Sequence, residues 1–248
     1  MRFIMPRTAV LAAALVFAAP SLVAATAGGV SAQTYEVAVL DQRRPTEDRE
    51  DDGTRKPAEL LAFAQVAEGE RVGDFIMGGG YLTRLLAAAV GPGGRVYGFH
   101  PVSGEAQQAV AAQYDNVELV GGTVPEPAFP QNLDLIVTAQ NLHDLYTERN
   151  APGTAAKALA SLHRALKPGG RLLVIDHAAL ENSEASVAGT LHRIERTAAL
   201  EALEEAGFTL VDESTMYAHA DDPKNVPVFD PAVRGRTDQF ALMMRKAQ

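Results

Sequence analysis

Short apolar runs alternate with amphipathic segments along most of the chain. The apolar runs predict strands at residues 72–76, 95–99, 117–120, 133–138 and 171–176. The segments between them repeat small and apolar residues at helical spacing and predict helices at residues 81–90, 104–114 and 154–166. Buried strands that alternate with amphipathic helices are typical of a parallel sheet covered on both faces. The pattern therefore predicts an α/β, doubly wound fold.

The flanks of this region have other patterns. Pro57 suits a first helical position, and Leu60, Leu61 and Ala64 follow at helical spacing, which predicts a short covering helix. Towards the other end, residues 185–206 predict one long helix. Two later apolar runs, 208–213 and 239–245, are separated by a polar loop and predict a hairpin-like pair at a sheet edge.

Residues 33–56 are dense in mixed charge and contain a single short apolar run. Such a segment predicts an extended arm that lies solvated on the surface. The alternative is that Arg49 or Arg55 folds back over a cleft. Residues 57–248 then form one domain, since 47% hydrophobic residues in a chain of 248 suffice for one sizeable core.

Residues 1–32 have the pattern of a secretory signal. Arg2 and Arg7 precede an apolar stretch, and small residues suited to signal peptidase follow it. We expect cleavage after Ala32, with Ala25 as the second choice, and export to the bacterial periplasm without stable membrane insertion; the alternative is an uncleaved anchor. The chain has no cysteine, hence neither a disulfide nor a lipid-modified cysteine as a tether.

The formal net charge is −9. A protein that binds nucleic acid or an anionic membrane surface needs a cluster of positive charge. The negative net charge therefore argues against both as partners. A small-molecule substrate remains the expected partner, and the oligomeric state is left open.

A glycine cluster follows the first predicted strand, in the stretch RVGDFIMGGG. A turn of this kind lets a ligand approach the backbone closely at the carboxyl edge of an α/β sheet. The nicotinamide fingerprint G-x-G-x-x-G fails when counted from Gly78, because its third glycine falls on Thr83.

The register of Asp74, Gly78 and Gly80 resembles the first motif of the class I S-adenosylmethionine-dependent methyltransferases, hydrophobic-x-Asp-hydrophobic-Gly-x-Gly-x-Gly. Further matches are RVYGFH, DLIV and LHRALKPGGRLLVID. The stretches NLHDLY, IDHAAL, TLHRIE and VFDPAVRGRTDQFALMMRK look like an exported bacterial group of predicted methyltransferases. The resemblance covers roughly residues 57–246. It implies a Rossmann-like methyltransferase fold, with a mostly parallel seven-stranded sheet whose last strand is antiparallel.

The resemblance also implies methyl transfer from S-adenosylmethionine to an unknown small-molecule or envelope acceptor. The cofactor-binding positions that it implies are Asp74, Ile76, Gly78, Gly80, His100 and Asn141. Ile76 stands where the family has its first glycine, and His100 where it has the acid that accepts both ribose hydroxyls. A neutral imidazole offers one acceptor, so cofactor binding weakened by ten- to hundredfold is expected. The alternative is an exported, non-catalytic protein that binds a ligand or metal with the same fold.

Histidines and acids recur together at the ends of the later strands, and the candidate catalytic residues are His143, Asp144, Asp176, His177 and His192. We expect Asp144 and Asp176 to orient their neighbours His143 and His177, and His192 and Glu195 to share one face of a helix. One hypothesis is acid–base catalysis on the acceptor. The others are a metal site, for which we assign no ligands, and purely structural pairs.

Overall fold

The structure is a computed structural model that describes residues 35–248, so the predicted signal segment 1–32 lies outside the described residues. The strands within residues 35–248 are β1 Arg71–Phe75, β2 Arg95–Phe99, β3 Val117–Val120, β4 Gly122–Thr123, β5 Glu126–Pro127, β6 Leu133–Ala139, β7 Leu166–His177, β8 Phe208–Ser214 and β9 Gln239–Lys246. β4 and β5 form a separate two-stranded ribbon, and the main sheet has the other seven in the order β3-β2-β1-β6-β7-β9-β8. β9 runs antiparallel to both β7 and β8, and the other pairings in this sheet are parallel. The predicted fold and the terminal antiparallel pair are confirmed.

Helices cover both faces of this sheet. They are α1 Glu36–Val39, α2 Thr46–Arg55, α3 Pro57–Phe63, α4 Tyr81–Val90, α5 Glu105–Gln113, α6 Thr154–Ala165, α7 Val187–Thr190 and α8 Arg196–Glu205, with a 3-10 turn at His143–Tyr146. Side chains alternate between the two faces along each strand. In β6, Leu135 and Val137 pack into the core cluster on one face, and Ile136 packs into the cluster on the other. No helix within residues 35–248 is long and apolar enough to cross a bilayer.

The prediction of an extended arm over residues 33–56 was wrong for the part that the structure describes. This segment forms α1 and α2, and it packs against α4. Arg84 of α4 binds Asp48 of α2 through two hydrogen bonds of 2.7 Å, and both side chains are almost fully buried. The charged residues of this segment, whose density suggests an exposed arm, therefore form buried ion pairs in part.

The prediction of one long helix over residues 185–206 was also wrong. The chain leaves α7, and His192 takes a φ of 55°, outside the helical region. Ile194 then pairs with the end of β7: its N–H donates to the carbonyl of His177 at 2.9 Å, and its own carbonyl accepts from Ala179 at 3.0 Å. His192 and Glu195 consequently do not share a helical face, because α8 begins only at Arg196.

Candidate active site

The turn between β1 and α4 forms part of a cleft at the carboxyl edge of the sheet. Gly78 and Gly80 have φ values of 55° and 87°, which glycine adopts without a steric penalty. A Cβ added at Gly78 or Gly79 would meet no atom within 4 Å, whereas one at Gly80 would meet Val110 Cγ2 at 2.5 Å. The first two glycines therefore leave open space beside the loop, and the third allows α5 to pack closely.

Ile76 also lies in the left-handed region, with a φ of 62°. For a β-branched residue this is an outlier that costs about 1–2 kcal/mol. Its side chain packs against the core and lines the cleft. The turn therefore keeps at this position a backbone conformation that favours glycine, although the residue is isoleucine.

This strain predicts an unusual order of stability. We expect Ile76→Gly to be more stable than Ile76→Ala by about 1 kcal/mol, because both lose the partly buried side chain but only glycine tolerates the φ value freely. Chemical denaturation of the two variants measures the difference. At Ile136, which is fully buried in β6 at an ordinary φ, the order should reverse in favour of alanine. The same order at both positions would contradict the strain at Ile76.

Asp74 lies at the base of the cleft, and its side chain is buried. Its Oδ2 accepts a hydrogen bond of 2.6 Å from Thr83 Oγ1. Burial raises the pKa of Asp74 to about 6, although the hydrogen bonds from Thr83 act in the opposite direction. Asp74 takes part in none of the salt bridges found within residues 35–248. A buried carboxylate without a cation favours a positively charged ligand.

The other two positions from the resemblance make local contacts. His100 Nδ1 donates to the backbone oxygen of Val102 at 2.7 Å. Within residues 35–248, His100 is not one of the residues that line the cleft. The Asn141 amide donates to the carbonyl oxygens of Ala139 at 2.7 Å and Ile76 at 3.2 Å. Asn141 therefore joins the ends of β1 and β6 where both border the cleft.

The five candidate catalytic residues come together in space, but with a different pairing from the expected one. Asp176 is fully buried and accepts three hydrogen bonds of 2.7 Å, from Nδ1 and the backbone N–H of His143 and from the backbone N–H of His177. The His177 ring instead shares a hydrogen bond of 2.8 Å with Thr237. Asp144 Oδ1 lies 3.6 Å from His143 Nε2, too far for a hydrogen bond. The acid that orients His143 is therefore Asp176 and not the adjacent Asp144.

The two buried histidines have opposite pKa shifts. Burial lowers the pKa of His143, but the charge of Asp176 and the hydrogen bond to it outweigh burial, so the pKa lies above its ordinary value. Burial lowers the pKa of His177 to about 4, with only partial compensation by Asp176. His177, which lines the cleft, is therefore a neutral imidazole at physiological pH.

The cleft has a volume of about 680 Å³ and is covered by residues that the glycine motif does not indicate. Arg55 of α2 lines it, as in the second interpretation of the arm, and its carbonyl accepts a hydrogen bond of 2.5 Å from the Tyr217 hydroxyl. His219 and Phe229 of the β8–β9 connection also line this wall. No motif in the sequence marks Arg55 or Tyr217, which lie 162 positions apart.

Residues 74–174 match the family described as Methyltransferase domain. The chain is 30% identical over 123 residues to the demethylmenaquinone methyltransferase of Listeria monocytogenes, a match that covers 48% of this chain and 49% of the relative. The chain therefore spans about half the length of this curated relative.

Solved structures with the same fold include bacterial methyltransferases. An S-adenosylmethionine-dependent methyltransferase from Aquifex aeolicus aligns with a TM-score of 0.55 and 21% identity, over 82% of this chain and 98% of its own. The Burkholderia thailandensis 1,6-didemethyltoxoflavin-N1-methyltransferase, with bound 1,6-didemethyltoxoflavin and S-adenosylhomocysteine, aligns with a TM-score of 0.56 and 18% identity, over 88% of this chain and 87% of its own. At these identities the likeness establishes the fold.

Proposed function

We propose that this protein is an S-adenosylmethionine-dependent methyltransferase that acts on a small-molecule acceptor. Three findings support the proposal: the sequence match over residues 74–174, the fold, and a cleft at the carboxyl edge of the sheet beside the glycine turn. The cleft volume of about 680 Å³ lies within the usual range for small-molecule sites.

The observation that carries the proposal is the buried carboxylate of Asp74. It lies beside open space at Gly78 and Gly79, and no basic side chain of the described residues forms a salt bridge with it. S-adenosylmethionine carries a sulfonium and an ammonium group, and either cation would offset the cost of burying this negative charge. The residues present therefore fit a cationic cofactor.

The chain's own residues would bind and enclose the two ligands. The backbone of Gly78 and Gly79 allows close approach of the cofactor, and Asp74 supplies the negative charge. When bound, S-adenosylmethionine supplies an electrophilic methyl group. Neutral His177 can donate or accept a hydrogen bond with the acceptor. Tyr217 and Phe229 line one side of the cleft with aromatic rings.

The state of Asp74 predicts how cofactor binding depends on pH. Because the folded pKa of about 6 exceeds the unfolded value of 3.8, this carboxyl stabilises the folded chain below about pH 4, and that contribution is lost as the pH rises to about 6. A cation prefers the ionised form, so we expect the affinity for S-adenosylmethionine to rise between about pH 5 and 7. Asp74→Asn should bind at least tenfold more weakly at pH 7.5 and lose this dependence. Isothermal titration calorimetry measures both.

The matched control is Asp115→Asn, which neutralises an exposed acid outside the cleft and should leave affinity and pH profile unchanged. S-adenosylhomocysteine serves as a second ligand that lacks the sulfonium charge. The absence of binding at millimolar concentrations of both ligands would overturn the proposal. Equal binding by Asp74→Asn and the parent protein would remove Asp74 from the cofactor site.

No observation on the described residues favours the non-catalytic alternative. The turn keeps a left-handed backbone conformation at Ile76, so the replacement of the first glycine of the motif does not by itself change the shape of the glycine turn. Export, which rests on residues 1–32 alone, remains a proposal that a fusion to a reporter active outside the cytoplasm would test.

A further inference from the structure

Three potential metal ligands converge close to His177, a residue that lines the cleft: His143, Asp144 and His192. One ligand atom from each lies within 4.8 Å of the others. Asp144 Oδ1 is 3.6 Å from His143 Nε2 and 3.9 Å from His192 Nδ1. Both distances are too long for hydrogen bonds. They are close to the roughly 3.4 Å between ligand atoms on a tetrahedral ion with bonds of about 2.1 Å.

His143 is already oriented as a metal ligand. Its Nδ1–H donates to Asp176 at 2.7 Å, which leaves Nε2 on the side of Asp144. Asp176 is itself held by the backbone N–H groups of His143 and His177. A carboxylate behind the ligating histidine is the usual outer partner in metal sites, because it sets the tautomer and raises the basicity of the ligand nitrogen.

His192 is held in place by its neighbours. The His192 ring lies edge-to-face on the His143 ring, with the two centroids 5.4 Å apart. The centroid of the Phe229 ring is 4.9 Å from that of His192. The next residue, Arg193, is fully buried and bonded to Asp222, which anchors the backbone at this turn. Little conformational freedom therefore remains to be lost when His192 binds an ion.

The negative charge of Asp144 and the exposure of the cluster to solvent also suit a cation. Asp144 is 40% exposed and His192 is 25% exposed, so an ion can enter from solvent. The neighbouring cation is Arg149, which lies 3.8 Å from Asp144 Oδ1 and is 77% exposed, so it can move into water at little cost.

We propose that His143, Asp144 and His192 bind one divalent transition-metal ion, with Asp176 as the outer carboxylate. Two imidazoles and one carboxylate suit Zn²⁺, Fe²⁺ or Mn²⁺ better than Mg²⁺ or Ca²⁺, which prefer oxygen ligands throughout. Three protein ligands leave a coordination position open for water or for a polar atom of a second ligand. The His143 ring centroid is 6.1 Å from that of His177, which lines the cleft, so the metal site lies close to the cleft.

The test measures metal binding directly and does not depend on methyl transfer. Full-length protein without a polyhistidine tag is treated with a chelator, dialysed and titrated with Zn²⁺ by calorimetry, and with Co²⁺ by visible absorption. We expect one ion per chain. His192→Ala and Asp144→Asn should each weaken binding by at least a hundredfold, and Asp176→Asn by ten- to a hundredfold.

The control is His163→Ala, which removes a histidine outside both the cluster and the cleft and should leave the affinity unchanged. His192 and Asp144 are partly exposed, so their variants should fold, and thermal unfolding checks this. The proposal would be overturned if the parent protein bound no metal ion. It would also be overturned if folded His192→Ala and Asp144→Asn bound the ion as tightly as the parent protein. Retained binding of S-adenosylmethionine in these variants would separate the metal site from the cofactor site.

Discussion

Replacing Asp222 with asparagine is expected to lower the free energy of unfolding by about 3–5 kcal/mol. Asp222 and Arg193 have no exposed side-chain surface, and two hydrogen bonds of 2.7 and 3.0 Å join them. Arg193 also donates to the carbonyls of Ala178 at 3.0 Å and Val226 at 3.1 Å. Neutralising Asp222 leaves the buried guanidinium without its counter-charge, a larger loss than that of one hydrogen bond. Urea denaturation followed by circular dichroism measures the change.

Glu213→Gln is the matched control for this prediction. It breaks the Arg196–Glu213 ion pair, in which both side chains are more than a third exposed. Water screens such pairs, so the loss should be below about 1 kcal/mol. Similar losses in the two variants would contradict the assignment of Arg193–Asp222 as the anchor of the turn that carries His192.

Replacing Gly80 with alanine is expected to destabilise the fold by about 2–4 kcal/mol. The added Cβ would meet Val110 Cγ2 at 2.5 Å, and the φ of 87° penalises any side chain. Strain of about 1–2 kcal/mol and overpacking of about 1–3 kcal/mol both contribute. Thermal and chemical unfolding of the variant measure the loss.

Gly78→Ala tests the same turn without the clash. Its φ is 55°, and no atom lies within 4 Å of the added Cβ, so a loss of only about 1–2 kcal/mol is expected. Because Gly78 lines the cleft, this variant should instead weaken S-adenosylmethionine binding by more than tenfold. Gly53→Ala, at an exposed position in α2, should leave binding unchanged and stabilise the helix by about 0.5–1 kcal/mol. If Gly78→Ala binds as tightly as the parent protein, the cofactor does not approach this part of the loop.

The central strands could be predicted because their signals are local. In β2 and β3, runs of apolar residues bounded by turns reproduced the observed limits, and β6 extends one residue beyond its predicted end. In β2 and β6 most residues are buried and apolar, so these strands are easily recognised, whereas β3 lies at the edge of the sheet and exposes Glu118. The same holds for the glycine turn, where Asp74 and Gly78 lie in the cleft that their spacing indicated.

The errors arose where distant contacts override local patterns. The sequence suggests that the charges of Asp48 and Arg44 are solvated, yet both residues are buried. Arg84 of α4 binds Asp48, and Asp52 of α2 binds Arg44. Likewise, the stretch around His192 has helical spacing, but Arg193 is drawn into the core by Asp222, 29 positions away. Helix propensity differs by less than about 1 kcal/mol per residue, and a buried ion pair can outweigh it.

The sequence by itself determined the order of the seven strands of the main sheet and of helices α3 to α6, the position of the glycine turn and the residue types available at the carboxyl edge of the sheet, because each depends on spacing along a few neighbouring residues. Only the tertiary structure decided which acid orients His143, that α2 covers the cleft through Arg55, and that His192 joins His143 and Asp144. These arrangements depend on contacts between segments far apart in the chain. Their energies come from burial and charge pairing, which local sequence patterns do not record.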